Sequence, residues 1–144
     1  MKLSKPIPLD TRTALLTPMV AARVKAGFPS PADDHLERSI NLNEELIHNR
    51  VATFMVRVEG ESMRDAGIHP GDVLIIDKSI TPADRDVVVA MIDGEFTVKR
   101  FRKLTNRIFL DAENPDFKAI EVTEDQDFKI WGVVTYAIHN MRRR

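Results

Sequence analysis

Asp86-Val87-Val88-Val89-Ala90-Met91-Ile92-Asp93-Gly94-Glu95-Phe96-Thr97-Val98-Lys99-Arg100-Phe101-Arg102-Lys103 is the stretch that decides the fold. Two runs rich in β-branched and aromatic residues flank the dipeptide Asp93-Gly94. A two-residue hairpin loop of type I′ needs positive φ at both central positions, which Asp and Gly tolerate. The turn fixes the register: Ile92 opposite Glu95, Met91 opposite Phe96, Val88 opposite Lys99. Lys99 therefore shares a face with Thr97 and Phe101 on its own strand and with Val88 and Ala90 across the ladder.

Working outward, Thr53–Glu59 alternates, with Phe54, Val56 and Val58 on one face. His69-Pro70-Gly71-Asp72 reads as a turn before the apolar residues 73–76. Further strands are expected over 107–112, 118–122 and 130–138, with Asn114-Pro115-Asp116 as a loop between two of them. A short helix is expected over 43–49, with Asn43 as its cap and Glu44-Glu45 in its first turn. Residues 19–28 fit a helix or a strand, and Pro29-Ser30-Pro31 ends either. Residues 1–18, with Pro6, Pro8 and Pro18, read as an extended arm. The pattern as a whole predicts a mostly β chain, a partly closed barrel or sandwich with a mobile N-terminal arm.

Composition sets the boundaries of function. The 144 residues suit one domain, and 43% hydrophobic with 30% charged residues is ordinary for a soluble protein. The absence of cysteine excludes disulfides, thiolate metal sites and thiol nucleophiles. The longest apolar run, Val87–Ile92, falls far short of a membrane span, and no secretory h-region follows the N-terminal lysines. A cytoplasmic address is expected. Residues 1–26 carry Lys2, Lys5, Arg12, Arg23 and Lys25 against Asp10, a charge of +4, while the rest of the chain carries −5. Such an arm docks on its own acidic body, reaches an acidic partner, or is simply solvated. Arg142-Arg143-Arg144 reads as a frayed end, and direct sequence-specific DNA binding is not expected.

In Glu59-Gly60-Glu61-Ser62-Met63 a strand ends, Gly60 permits a sharp turn, and Ser62 sits at its mouth. A serine beside a glycine is most often plain turn chemistry. A nucleophilic serine also needs a base. His35, His48, His69 and His139 are scattered, with no close pair and no ligand spacing, so no metal or other cofactor is implied, although a triad through His69 stays open. Lys99 is the other candidate base. Its apolar face disfavours the ammonium and lowers the pKa of the amine, which suits a general base. A lysine that snorkels its head to water is the plain alternative. A Ser-Lys dyad would use Ser62 as nucleophile and backbone amides of the serine turn, that of Ser62 among them, to hold the oxyanion.

Val58-Glu59-Gly60-Glu61-Ser62-Met63, His69-Pro70-Gly71-Asp72-Val73-Leu74 and Glu95-Phe96-Thr97-Val98-Lys99-Arg100 resemble the self-cleaving domain shared by LexA, some phage repressors and UmuD. Trp131-Gly132-Val133-Val134 matches that family's late strand. Ala26-Gly27-Phe28-Pro29-Ser30-Pro31 resembles the scissile segment of the UmuD and MucA branch. The resemblance implies a LexA- and signal-peptidase-like β domain in which Ser62 is the nucleophile, Lys99 its base and Ala26-Gly27 the bond cut. Cleavage would separate an arm, 1–26, from a peptidase-like domain, 27–144. A small Ala26 suits a shallow pocket, and Gly27 lets the backbone approach without a Cβ clash. Because the substrate lies in the same chain, effective concentration is high and one turnover suffices.

The 26 residues before Gly27 are too few for the winged helix-turn-helix of the repressors, which places the chain with UmuD. That branch implies cleavage stimulated by RecA filaments on single-stranded DNA. It also implies a trimmed homodimer that joins a UmuC-type subunit in an error-prone translesion polymerase, with no membrane involved. Val133, Val134 and Ile138 are candidates for the dimer face or for core. The competing readings are a Ser-Lys processing peptidase acting on other proteins, a non-catalytic β binding module and a truncated repressor.

Overall fold

The computed structural model describes residues 2–9, 16–20 and 36–142, with backbone alone at 2, 16–20 and 36–38. The strands are β1 (Lys2–Leu3), β2 (Ile7–Pro8), β3 (Leu16–Val20), β4 (Leu36–Asn41), β5 (Thr53–Glu59), β6 (Val73–Asp77), β7 (Val87–Ile92), β8 (Glu95–Lys103), β9 (Ile108–Asp111), β10 (Ile120–Val122) and β11 (Phe128–Ile138). One helix, α1 (Leu42–Leu46), follows β4. The chain forms two compact units, Met1–Leu9 with Val51–Arg144, and Asp10–Arg50. Among the described residues, no helix is long and apolar enough to cross a membrane.

In the smaller unit β3 and β4 pair antiparallel. The helix is capped two residues before the expected position, by Asn41 in place of Asn43. Asn41 keeps an extended backbone, and its Oδ1 accepts the amide hydrogen of Asn43 at 3.1 Å. Asn43 is thus inside the helix, which lasts one turn because Ile47 returns to extended backbone. The Pro29-Ser30-Pro31 stop and the Ala26-Gly27 bond lie outside the described residues.

The larger unit is a mostly β, antiparallel sheet in the order β1-β5-β6-β11-β7-β8-β9-β10, with β2 also on β5. It is curled but open: β1 lies against β8 without pairing to it. The β7–β8 hairpin has the expected register from Val87↔Arg100 to Ile92↔Glu95. Asp93 and Gly94 take φ of 49° and 84°, the signature of a type I′ turn. β5 spans the expected Thr53–Glu59, and within the arm β1 and β2 extend along its free edge, where Ser4 bonds both amide and carbonyl of Arg57.

Because β7 lies inside the curl, both of its faces are covered, which explains its unbroken apolar run. Val89 packs with Val56, Val58, Met63, Ile68, Leu74, Ile76 and Val98. Val88 and Ala90 pack on the other face with Phe101, Leu110 and Val133. Of the residues offered as dimer face or core, Val133 is therefore core and Val134 half-buried, while Ile138 is exposed beside Tyr136. β11 joins the sheet halves, pairing with both β6 and β7 through bulges near Trp131 and Thr135. The first bulge rotates Trp131 against the rings of Phe54 and Phe96.

Candidate active site

The serine turn is built by a glycine and an anchor. Gly60 takes φ of 90° at the end of β5, a value L side chains avoid. Met63 and Ile68 then plug into the core on either side of a single 3-10 turn, Arg64–Ala66. Ser62, caught between hinge and plug, is fully buried, and its Oγ has no hydrogen-bond partner. Leaving a buried hydroxyl unpaired costs about 1–3 kcal/mol, so such a group marks a functional site more readily than a structural one.

The turn rests on the loop that follows β9. Glu113 N donates to Ser62 O at 2.9 Å, Asn114 Nδ2 donates to Glu61 O at 2.8 Å, and Asp65 N donates to Glu113 O at 2.8 Å. Within the turn, Arg64 N donates to Glu61 O, and Ala66 N and Ile68 N donate to Met63 O. None of these bonds uses the amides of Ser62 or Met63.

Lys99 sits in the middle of β8 opposite Val88, only 6% exposed. Desolvation by burial lowers its pKa from the ordinary 10.5. Among the described residues no carboxylate pairs with it; its Nζ lies 5.6 Å from the centre of the Phe117 ring. The lysine opens onto a cleft of about 590 Å³ lined by Ile92, Phe96, Thr97 and Ile120, with Asp93 and Glu95 also on its wall. Ser62 does not line that cleft. No hydrogen bond joins Ser62 Oγ to Lys99 Nζ. What the two share is the Glu113–Phe117 loop, which holds the serine turn at one end and faces the lysine at the other.

The chain matches the family described as Peptidase S24-like over residues 18–135. The chain belongs to the Peptidase S24-like family. S24-like relatives similar to it include Protein ImpA of Escherichia coli, 43% identical over 127 residues that cover 87% of this chain and 85% of ImpA. Protein MucA of Escherichia coli is 43% identical over 122 residues, covering 84% of this chain and 83% of MucA. The LexA repressor of Pseudomonas chlororaphis is 44% identical over 115 residues, 79% of this chain but 56% of the repressor. The resemblance read from the motifs around Ser62 and Lys99 is thereby borne out at the level of the S24-like family.

Two parts of the S24-like domain were not legible in the sequence. Asn114, read as a loop residue, is a buried anchor whose Oδ1 also accepts the Asp116 amide at 3.0 Å. The histidines, expected to be scattered, include a pair: the rings of His69 and His139 lie 4.8 Å apart. The buried Asp72 carboxylate accepts the His69 amide and pairs with His139 Nδ1. Neither histidine hydrogen-bonds Ser62. Among the described residues no cluster of three histidine, aspartate or glutamate side chains forms a metal site.

Proposed function

We propose that this chain is a self-cleaving Ser-Lys peptidase of the DNA-damage response, cutting its own Ala26-Gly27 bond once. The observation that carries the reading is a fully buried serine hydroxyl without a hydrogen-bond partner and a buried lysine that pairs with no carboxylate among the described residues, both set against the Glu113–Phe117 loop. In the reaction, neutral Lys99 takes the proton of Ser62 Oγ as the oxygen attacks the Ala26 carbonyl carbon. The oxyanion is received by the amides of Ser62 and Met63. The Lys99 ammonium returns the proton to the departing Gly27 amine, and water then hydrolyses the ester on Ser62. The Oγ–Nζ hydrogen bond closes when the scissile segment fills the cleft, since such bonds tighten in the substrate complex.

The biological setting follows the UmuD branch. An arm that seldom occupies the cleft slows cleavage in proportion to that occupancy, and a RecA filament on single-stranded DNA that prefers the docked conformer raises it. The trimmed 27–144 product acts in the cytoplasm as a homodimer and joins a UmuC-type subunit as accessory to an error-prone translesion polymerase. Similarity to ImpA and MucA over most of the chain supports this setting.

The test is incubation of the purified chain at mildly alkaline pH, followed by mass. A product beginning at Gly27, absent from Ser62→Ala and Lys99→Ala, is expected. A full-length chain that stays intact with and without RecA filaments refutes the reading, and cleavage of added peptides in place of the chain itself identifies a processing peptidase.

A further inference from the structure

The two peptide planes around Ser62 are held in an unusual way. The Glu61 carbonyl and the Ser62 carbonyl both face the loop after β9, one accepting from Asn114 Nδ2 and the other from Glu113 N. All peptide bonds described are trans, so in each plane the carbonyl and the following N–H point in opposite directions. Fixing the Glu61 carbonyl therefore aims the Ser62 amide, and fixing the Ser62 carbonyl aims the Met63 amide. Each amide is thereby turned away from the loop that holds its carbonyl, and neither is used in the backbone bonds of the turn. Two N–H groups converging beside a nucleophile are what a tetrahedral oxyanion requires.

We infer that Asn114 is a positioning residue for oxyanion stabilisation: its side-chain amide, bonded to the Glu61 carbonyl, aims the Ser62 N–H. The inference rests on the self-cleavage reading and adds a residue to it. Three features fit Asn114 to this task. It is 5% exposed, so its bond to Glu61 is shielded from competing water. Its Oδ1 accepts the Asp116 amide, and that second bond locks the side-chain amide with Nδ2 toward the turn. A hydrogen bond to a carbonyl also polarises the peptide and strengthens its N–H as a donor. Phe117, whose ring faces Lys99, donates its own amide to the Asn114 carbonyl at 3.1 Å, so one residue sets the serine turn and the wall beside the lysine.

The alternative role for Asn114 is merely to tie its own loop, and two variants separate the roles. Asn114→Ser keeps a short acceptor for the Asp116 amide but is too short to reach Glu61, whereas Asn114→Ala loses both bonds. Arg102→Ala loosens the start of the same loop by removing the ion pair with Asp111 at the end of β9 and leaves the Asn114–Glu61 bond in place. Self-cleavage of each full chain is followed from neutral to alkaline pH, beside its thermal unfolding. Positioning predicts that Asn114→Ser and Asn114→Ala both lower the alkaline plateau by about ten- to a hundredfold, short of the loss for a deleted donor. The pH of half-maximal rate stays that of the wild type, and Arg102→Ala cleaves nearly normally.

A wild-type plateau in Asn114→Ser, or losses in all three variants that track their unfolding, overturns the inference. If the wild-type chain does not cleave at any pH, it is the self-cleavage reading that falls. Positioning is then judged on the Ser62 amide resonance, which Asn114→Ser must move more than amides outside the turn. An unmoved resonance overturns it.

Discussion

Replacing Lys99 by methionine changes the charge of a buried site with little change of volume, and its consequences run in opposite directions for stability and activity. A lysine with the ordinary pKa of 10.5 is neutral in about one molecule in a thousand at pH 7.5. Each pH unit by which burial lowers that value multiplies the neutral fraction by ten and corresponds to about 1.4 kcal/mol of cost for the charged form. Because the folded pKa lies below the unfolded one, the unfolded chain binds more protons between the two values. The lysine's penalty on stability is therefore complete below the folded pKa and disappears as pH rises toward 10.5. Lys99→Met should be more stable than wild type at neutral pH, with the gain shrinking in alkali, as read from urea unfolding at a series of pH values.

The rate of self-cleavage should rise about tenfold per pH unit and level off at a midpoint below 10.5, and Lys99→Met should not cleave. A rate that is flat from about pH 6 to 9, or a midpoint at the free-lysine value, refutes the reasoning.

Ser62→Ala removes the unpaired buried hydroxyl, so it should gain about 1 kcal/mol of stability while abolishing cleavage; a less stable variant in denaturant titration contradicts the burial argument. Gly132→Ala should lose about 1–3 kcal/mol, because its Cβ would stand 2.5 Å from Cγ2 of the fully buried Ile76 and 3.3 Å from the Asp77 carbonyl. An unchanged unfolding midpoint would show that β11 yields freely at its bulge. Asp72→Ala should cost about 1–3 kcal/mol, since it strips the His69 amide and His139 of their acceptor; calorimetry reads the loss.

The sequence by itself determined the β7–β8 hairpin, its register and the face on which Lys99 lies, because a two-residue Asp-Gly turn leaves no freedom in pairing. The extent of β5 was equally local, written in seven alternating residues and ended by Gly60. The cap of helix α1 was misplaced by two residues because Asn41 and Asn43 are both competent caps, and only the extended backbone at Asn41 chooses between them. Only the tertiary structure decided that Val133 is core and Ile138 exposed, since this depends on which strands flank β11. The same holds for Asn114 beneath the Ser62 turn, 53 positions from the carbonyl it holds, and for His139 against Asp72, 67 positions away. Periodicity and turn chemistry act over a few residues, whereas these contacts exist only because the curled sheet brings distant loops together.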